Sequence, residues 1–248
     1  MIDNCIKIEQ LTKRYSGSTQ DSLGGVDLTI ALGDKFGILG PNGAGKTTLI
    51  SILCGIIEQT SGQVYYWNND PHVKVQSIQQ KMGYVPQEYA FYDELTPLQN
   101  LEYFAAMYKL SSSVIAARSK ELLDILGLTE VMNKKVATFS GGMKRRLNLA
   151  IGIIHEPTVL FLDEPTVGVD VQSKMAIMRL LDQLNEQGAT IIYTSHHLDE
   201  AQEFCNRIAL IDHGNIITKG ETVQLLKEHN AKDLKELLIN LTGESYRD

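Results

Sequence analysis

Residues 40–48, Gly-Pro-Asn-Gly-Ala-Gly-Lys-Thr-Thr, constrain the fold of this chain more than any other segment. They fit the pattern G-x-x-x-x-G-K-[ST], in which glycines let successive backbone N–H groups face one anion. Residues 35–39 predict a buried strand before the loop, and residues 48–53 predict a helix that directs its positive end at the phosphates. This context favours a phosphate-binding loop over a chance glycine-rich turn. The segment therefore predicts a nucleoside triphosphate site.

The loop supplies both backbone and side-chain contacts in this prediction. Lys46 adds positive charge for the β- and γ-phosphates, and the Thr47 hydroxyl is a ligand suited to Mg²⁺. The residues expected to contact the nucleotide are Gly40, Asn42, Gly43, Ala44, Gly45, Lys46, Thr47 and Thr48.

Composition limits the class of protein. At 248 residues, with 43% hydrophobic and 21% charged residues, the chain suits one large soluble domain or two small ones. We find no apolar run near the ~20 residues needed to cross a bilayer, and no secretory signal at the N-terminus. Cys5, Cys54 and Cys205 lack C-x-x-C spacing, so we expect reduced packing residues in a cytosolic protein. The net charge of −7 argues against a general nucleic-acid binder.

Alternating strands and helices predict a mostly parallel sheet with helices on its faces. The expected strands are 6–11, 26–30, 35–39, 63–67, 82–85, 158–162 and 189–194, with a hairpin over 208–217. The first expected helix begins at Thr96-Pro97, with a capping box to Gln99. Three further helices are expected over 114–126, 171–187 and 232–241. In the first of these helices Leu98, Leu101, Ala105 and Tyr108 share one face. Residues 88–157 insert a helical unit into the α/β plan.

Two acids follow the apolar run 159–162. The run delivers Asp163 and Glu164 to the carboxyl end of a strand, where open α/β sheets bind ligands. Asp163 suits Mg²⁺ through water, and Glu164 is placed to polarise an attacking water. In isolation the pair could simply cap a strand, but the loop at 40–48 favours the catalytic interpretation.

A second phosphate-seeking element precedes the acids. Ser140 is a natural helix N-cap, and Gly141 and Gly142 let an anion approach the backbone of a helix N-terminus. Alone, these three residues would more simply be a loop before an amphipathic helix.

Together these elements resemble the ATP-binding subunits of ABC transporters. The Ser-Gly-Gly element before the acidic strand separates that family from other phosphate-loop proteins. By resemblance, Tyr15 stacks on adenine, Gln87 joins Mg²⁺ to the helical subdomain, and His196 contacts the γ-phosphate. Residues 165–170 resemble the D-loop. The likeness covers nearly the whole chain.

Alternatives to these single assignments stay open. Tyr15 could be an ordinary half-buried aromatic, and Gln87 could be turn chemistry after a proline. One of the adjacent His196 and His197 could only begin the next helix, and the family pattern selects His196 for the site.

The resemblance implies an α/β fold: a P-loop NTPase core with a mostly parallel sheet, an N-terminal antiparallel β subdomain and an inserted α-helical subdomain. The whole chain, 1–248, would be one ATP-binding domain. Its expected parts are a catalytic core with the β subdomain over 1–87 and 158–220, a helical signature subdomain over 88–157, and a C-terminal helical extension over 221–248. ATP and Mg²⁺ are the expected cofactors. The metal would be held by Thr47, Gln87 and Asp163, and catalysis would use Glu164, His196 and Lys46.

The chain departs from the commonest family signature, Leu-Ser-Gly-Gly-Gln, at two positions. Phe139 replaces the leucine and Met143 replaces the glutamine, so any contact of that glutamine is absent. The D-loop reads Val-Gly-Val-Asp over 167–170. These variants and the ending 241–248 resemble ABC-2-type exporters, including drug-resistance and sodium-efflux subunits.

By resemblance, two copies pair head to tail around ATP, as a homodimer or as a heterodimer with a similar subunit. The expected partner is a separately encoded integral-membrane permease, with no nucleic acid, which places the chain in the cytoplasm on the inner face of the membrane. The main alternative is a non-transport ABC ATPase acting on ribosomes or nucleic acid. Such proteins usually carry two linked ATPase domains or a long coiled-coil insertion, and we find neither. A kinase would lack the Ser-Gly-Gly element, and a GTPase would need an Asn-Lys-x-Asp motif that we do not find.

Overall fold

The computed structural model describes residues 4–67 and 75–243. They divide into two compact units, one of residues 4–67, 75–79 and 190–243, the other of residues 80–189. Both units combine strands with helices, which confirms the predicted α/β class. The predicted helical subdomain, 88–157, falls wholly within the second unit, and its boundaries stay a prediction.

The elements follow one another in this order along the described chain: β1 Asn4–Lys13, β2 Leu23–Ala31, β3 Lys35–Leu39, α1 Lys46–Leu53, β4 Ser61–Tyr66, α2 Val75–Ile78, β5 Met82–Val85, α3 Pro97–Met107, α4 Ser112–Ile125, α5 Gly141–Ile153, β6 Val159–Asp163, α6 Val171–Glu186, β7 Thr190–Ser195, α7 Leu198–Phe204, β8 Arg207–Asp212, β9 Asn215–Glu221, α8 Thr222–Glu228 and α9 Leu234–Thr242. Short 3₁₀ turns cover Gln79–Lys81, Thr129–Val131 and Val136–Thr138. The ending 241–248 resembles ABC-2-type exporters in sequence, and its residues 244–248 lie outside the described part of the chain.

The first unit contains antiparallel and parallel strands in separate groups. β1 pairs antiparallel with both β2 and β4, as the predicted N-terminal β subdomain requires. β3 pairs parallel with β7 and β8, and β9 returns antiparallel beside β8. The β8–β9 turn has φ of 46° at His213 and 75° at Gly214. Positive φ at both central residues gives the twist that a tight hairpin needs, which confirms the hairpin prediction.

Burial of β3 and β7 explains their continuous apolar sequences. Every residue of β7 is buried, and so are the last four residues of β3. Strands covered on both faces lose the polar alternation seen in half-exposed strands. The carboxyl ends of these two strands come together, with Leu39 opposite Ser195.

In the second unit β5 and β6 are parallel, and α5 packs against β5 and three neighbouring helices. The predicted capping box is confirmed, since Thr96 and Gln99 exchange side-chain and backbone hydrogen bonds. On the predicted face of α3, Leu101 and Ala105 are buried and Leu98 is half-buried, and Asn100 beside that face is fully buried. The Asn100 amide donates to the carbonyl oxygens of Tyr92 and Thr96, so its burial leaves no polar group unpaired.

Several boundaries differ by a few residues from prediction. Helix α4 begins at Ser112 because the Ser111 side chain accepts from the Val114 N–H at 3.4 Å. Strand β4 ends at Tyr66, and Trp67 turns away with φ of 45°. The three cysteines form no disulfide and are buried, as packing residues should be. Among the described helices, none has the length and apolar character to span a bilayer.

Candidate nucleotide site

The predicted phosphate loop connects β3 to α1 in the first unit. A Cβ on Gly40 would lie 2.0 Å from the Ile211 carbonyl oxygen, so no side chain fits there. Gly43 and Gly45 have φ of 79° and 107°, values that favour glycine. Gly45 is the N-cap of α1, and its carbonyl accepts from the Leu49 N–H at 2.9 Å. The loop therefore curls onto the start of α1, whose first N–H groups lack partners within the helix.

The side chain of Lys46 is hydrogen-bonded within the loop itself. Lys46 is 5% exposed, and its ammonium donates to the carbonyl oxygens of the loop's first two residues at 2.9 and 3.0 Å. Asn42 and Thr47 are exposed at the surface of the loop. Ala44 is buried, and its carbonyl accepts from Gly214 at 2.9 Å. A charged donor and exposed loop residues thus surround the backbone that the motif predicts for phosphate.

Tyr15 lies beside α1. Its hydroxyl is 3.3 Å from the Thr48 Oγ1, and the Lys13 ammonium is 5.2 Å from the ring centroid. The residue is 44% exposed, so its ring has a face that a base could stack on. Adenine stacking on Tyr15 stays a prediction.

His196 follows directly after β7, at the strand end that adjoins the phosphate loop. The Gly40 N–H donates to the Ser195 carbonyl at 3.4 Å, so the loop and the residue before His196 are joined. His197 occupies the N-cap position of α7, and its carbonyl accepts from Ala201 at 3.2 Å. His197 is therefore the histidine that begins the helix, which supports the choice of His196 for the phosphate role.

The two acids end β6 in the second unit. Asp163 is the last strand residue and 1% exposed, and Glu164 is 4% exposed. Glu164 has φ of 50°, a left-handed conformation that costs an L-residue roughly 1–2 kcal/mol. Such strain persists where surrounding structure over-determines it, and it is frequent at functional sites. The Gln87 Nε2 donates to Glu164 Oε2 at 3.3 Å, so two predicted site residues meet.

The segment around Gln87 is fastened to α5. The Arg145 Nη1 donates to the Gln87 carbonyl at 2.7 Å, and the Asn148 amide donates to the Pro86 carbonyl at 3.0 Å. The Tyr89 hydroxyl donates to the Gly141 carbonyl at 3.2 Å. Side chains from both segments thus join the predicted glutamine loop to the signature helix.

Arg145 is a buried cation. It is 5% exposed, and its guanidinium carbon lies 5.0 Å from the Tyr89 ring centroid. Burial lowers the pKa of Arg145, while Tyr89, Glu164 and Asp163 oppose that shift electrostatically. An arginine stays charged in proteins, so a positive charge is held near both acids.

Ser140 caps the start of α5, as the sequence predicts, and its phosphate role stays a prediction. Ser140 is exposed, and its hydroxyl accepts from the Met143 N–H at 3.3 Å at the start of α5. Phe139 takes the leucine position and is 8% exposed, so the aromatic substitution keeps an apolar anchor there. Gly141 is exposed beside Ser140, which leaves backbone at this helix start open to an anion.

Gly142 packs against the end of the predicted D-loop. A Cβ on Gly142 would lie 2.4 Å from Ser173 Oγ and 2.5 Å from Asp170 Oδ2. Asp170 is the N-cap of α6 and accepts from the Ser173 N–H at 2.9 Å and from the Ser173 hydroxyl at 2.8 Å. These hydrogen bonds lower the pKa of Asp170. The signature helix and the D-loop are thus in direct contact within one unit.

Sequence reasoning missed the side chains that make these connections: Tyr89, Arg145, Asn148 and Ser173. One signal was available for α5. Arg145 and Asn148 are three positions apart on one helix face among apolar neighbours, and polar residues on a buried face need partners.

The ABC transporter family model matches residues 23–167. This chain belongs to the ABC transporter family. It is 38% identical to the linearmycin resistance ATP-binding protein LnrL of Bacillus subtilis, over 97% of this chain and 77% of the relative. It is 35% identical to the daunorubicin resistance ATP-binding protein DrrA3 of Streptomyces coeruleorubidus, over 98% of this chain and 76% of that one.

Solved structures agree with the family. An ATP-binding subunit of an ABC transporter superposes with a TM-score of 0.86 at 25% identity, over 96% of this chain and 99% of that one. The ATP-binding cassette MJ0796, a dimer bound to ADP and Pi after hydrolysis, gives 0.78 at 28% identity, over 88% and 98%. The family and the ABC ATPase fold predicted from the sequence are therefore confirmed, and this chain is an ABC ATPase domain.

Proposed function

We propose that this chain is the ATP-hydrolysing motor of a membrane exporter whose permease is a separate chain. The observation that carries the ATP-driven motor role is the presence of two backbone elements suited to phosphate, the loop before α1 and the Ser140-capped start of α5. The names of the drug-resistance relatives support the export role. One ATP needs only one such loop. A second element fits a nucleotide shared between two copies, and the solved MJ0796 dimers support that arrangement.

In this proposal the chain's own residues divide the chemistry. Lys46 leaves the loop carbonyls to neutralise phosphate charge, and Glu164 orients the attacking water and accepts its proton. His196 supports the γ-phosphate, and Tyr15 stacks on the adenine. The Ser140 element of the opposite copy closes on the same phosphate, so ATP stabilises the paired state by mass action.

The oxygen donors suit Mg²⁺. The Gln87 Nε2 donates to Glu164, which leaves the amide oxygen to ligate a metal. By resemblance, the Thr47 hydroxyl and the Asp163 carboxylate would be the other protein ligands. The described residues contain no cluster of three or more His, Cys, Asp or Glu, so phosphate oxygens and water would complete the shell. Bound Mg²⁺ would neutralise charge on the transferring phosphoryl group.

Glu164→Gln tests the catalytic assignment. Loss of the base should lower ATP turnover by about 10²–10⁴-fold while ATP still binds. The variant should then accumulate as an ATP-dependent dimer in sedimentation velocity. Glu102→Gln, at an exposed position on α3, is the matched control and should keep wild-type turnover. Near wild-type turnover in Glu164→Gln would refute the assignment of the base.

A groove on the second unit suits the permease. It has a volume of about 500 Å³ and is lined by Gln87, Glu88, Tyr89, Phe91, Asp93 and Arg145. Tyr89 is 41% exposed and stacks on Phe91 with ring centroids 5.2 Å apart, so the groove offers an apolar wall. We assign a cytoplasmic segment of the permease to this groove, which would hold the chain at the inner face of the membrane.

Co-expression with a candidate permease of about six spanning segments tests the export role. The wild type should co-purify with the permease, and Tyr89→Arg should reduce that yield at least several-fold because it removes the apolar wall. Val223→Arg, exposed on α8, is the control. Co-purification with ribosomes or nucleic acid instead would support the alternative function. The names of the relatives favour drugs or other small molecules as cargo.

A further inference from the structure

Arg145 and Arg146 are adjacent on α5 and make different contacts. The Arg146 Nη1 donates to the Leu126 carbonyl at 2.6 Å, and so satisfies a carbonyl at the end of α4. Arg145 instead reaches the segment that carries Gln87. The sequence alone does not distinguish the two arginines, and the structure does.

The burial of Arg145 is costly and incompletely compensated. Its Nη1 donates to the Gln87 carbonyl at 2.7 Å and to the Pro86 carbonyl at 3.4 Å. Its Nε is buried with no hydrogen-bond partner among the described residues. An unpaired buried polar atom destabilises the folded chain, and a lysine or leucine, which has no Nε–H, would avoid that part of the cost. Retaining a planar cation here therefore points to a positional role.

The contacts form a continuous path to Glu164. Arg145 fixes the backbone of Gln87, and the Gln87 side chain donates to Glu164 at 3.3 Å. The Tyr89 ring covers the guanidinium, and the Tyr89 hydroxyl bonds to Gly141 at the start of α5. A displacement at the groove would therefore reach the carboxylate through groups already in contact.

We propose that Arg145 is a positioning residue that sets the orientation of Glu164 through Gln87. This inference rests on the proposed function, because it assumes that Glu164 directs the attacking water. Arg145 does not touch the nucleotide in this account, so it controls the rate of hydrolysis and leaves ATP affinity to the phosphate loop.

Steady-state ATPase kinetics of the full chain with Mg²⁺ test the proposal, with urea unfolding measured in parallel. Arg145→Met should lower kcat by about ten- to a hundred-fold, since a misplaced group of this kind costs up to 10²-fold, and should change KM by less than about threefold. Arg145→Lys should recover part of kcat, because an ammonium can still donate to the Gln87 carbonyl. Arg146→Gln is the matched control: it loses the α4 contact and should keep kcat per folded molecule.

A double-variant cycle separates positioning from general stability. In a Gln87→Ala background the path to Glu164 is already broken, so Arg145→Met should lower kcat by less than about threefold more. Full additivity, or wild-type kcat in Arg145→Met, would overturn the inference while leaving the proposed function intact. If Arg145→Met does not fold, Arg145→Lys replaces it in the cycle. Its effect on kcat is then compared between the wild-type and Gln87→Ala backgrounds in the same way. An inactive wild type would instead overturn the proposed function, and this inference with it.

Discussion

Gly142→Ala tests the contact between the signature helix and the D-loop. The added Cβ would lie 2.4 Å from Ser173 Oγ, 2.5 Å from Asp170 Oδ2 and 3.1 Å from Ser173 Cβ. Overpacking of this kind costs about 1–3 kcal/mol, and the gain in helix propensity offsets up to about 1 kcal/mol. With two contacts under 3.0 Å the cost should lie in the upper part of that range, so we expect a net loss of about 1–2 kcal/mol. Gly141→Ala is the matched control, since its nearest atoms would lie at ordinary distances of 3.8 and 3.9 Å.

Urea unfolding followed by circular dichroism measures the difference. Gly141→Ala should match or exceed the wild type, and Gly142→Ala should unfold at a urea concentration lower by about 0.5–1 M. In a Ser173→Ala background the cost of Gly142→Ala should shrink, because the nearest clashing atom is gone. Equal stability of the two alanine variants would refute the steric argument.

Two further predictions concern local stability. Thr96→Ala breaks the capping box with Gln99 and should cost about 1 kcal/mol in urea unfolding, and an unchanged midpoint would contradict that role. Burial lowers the pKa of His155, so the unfolded chain binds the extra proton more readily than the folded one. The free energy of unfolding should therefore fall as pH drops through about 6.5, the ordinary histidine value, and His155→Gln should weaken that fall. A steeper pH dependence in the variant would reverse the assigned sign.

Features encoded by neighbouring residues were predictable from the sequence. The capping box at Thr96 and the hairpin turn at Gly214 each depend on a few adjacent side chains, and both formed as expected. The phosphate loop was predictable for a similar reason, since glycines at fixed spacing permit few other backbones.

Features that depend on distant packing were not predictable. Arg145 meets Gln87 across 58 positions, and only the folded register decides that Arg145 rather than Arg146 faces it. The positive φ of Glu164 runs against the preference of its residue type, so local propensity argues against it. The burial of Asn100 on α3 is accompanied by a hydrogen bond to the Tyr92 carbonyl in a loop, which helical periodicity does not describe.

In the proposed dimer, each working site combines the phosphate loop of one copy with the Ser140 element of the other. Lys46→Ala and Ser140→Arg should each be nearly inactive alone, because each damages one half of every site. When the two variants are combined one to one, half of the dimers should contain one copy of each. One of the two sites in each such dimer would be intact. ATP turnover of the mixture should therefore recover to about a quarter of the wild-type rate. A mixture as inactive as its two components would contradict the shared-site account.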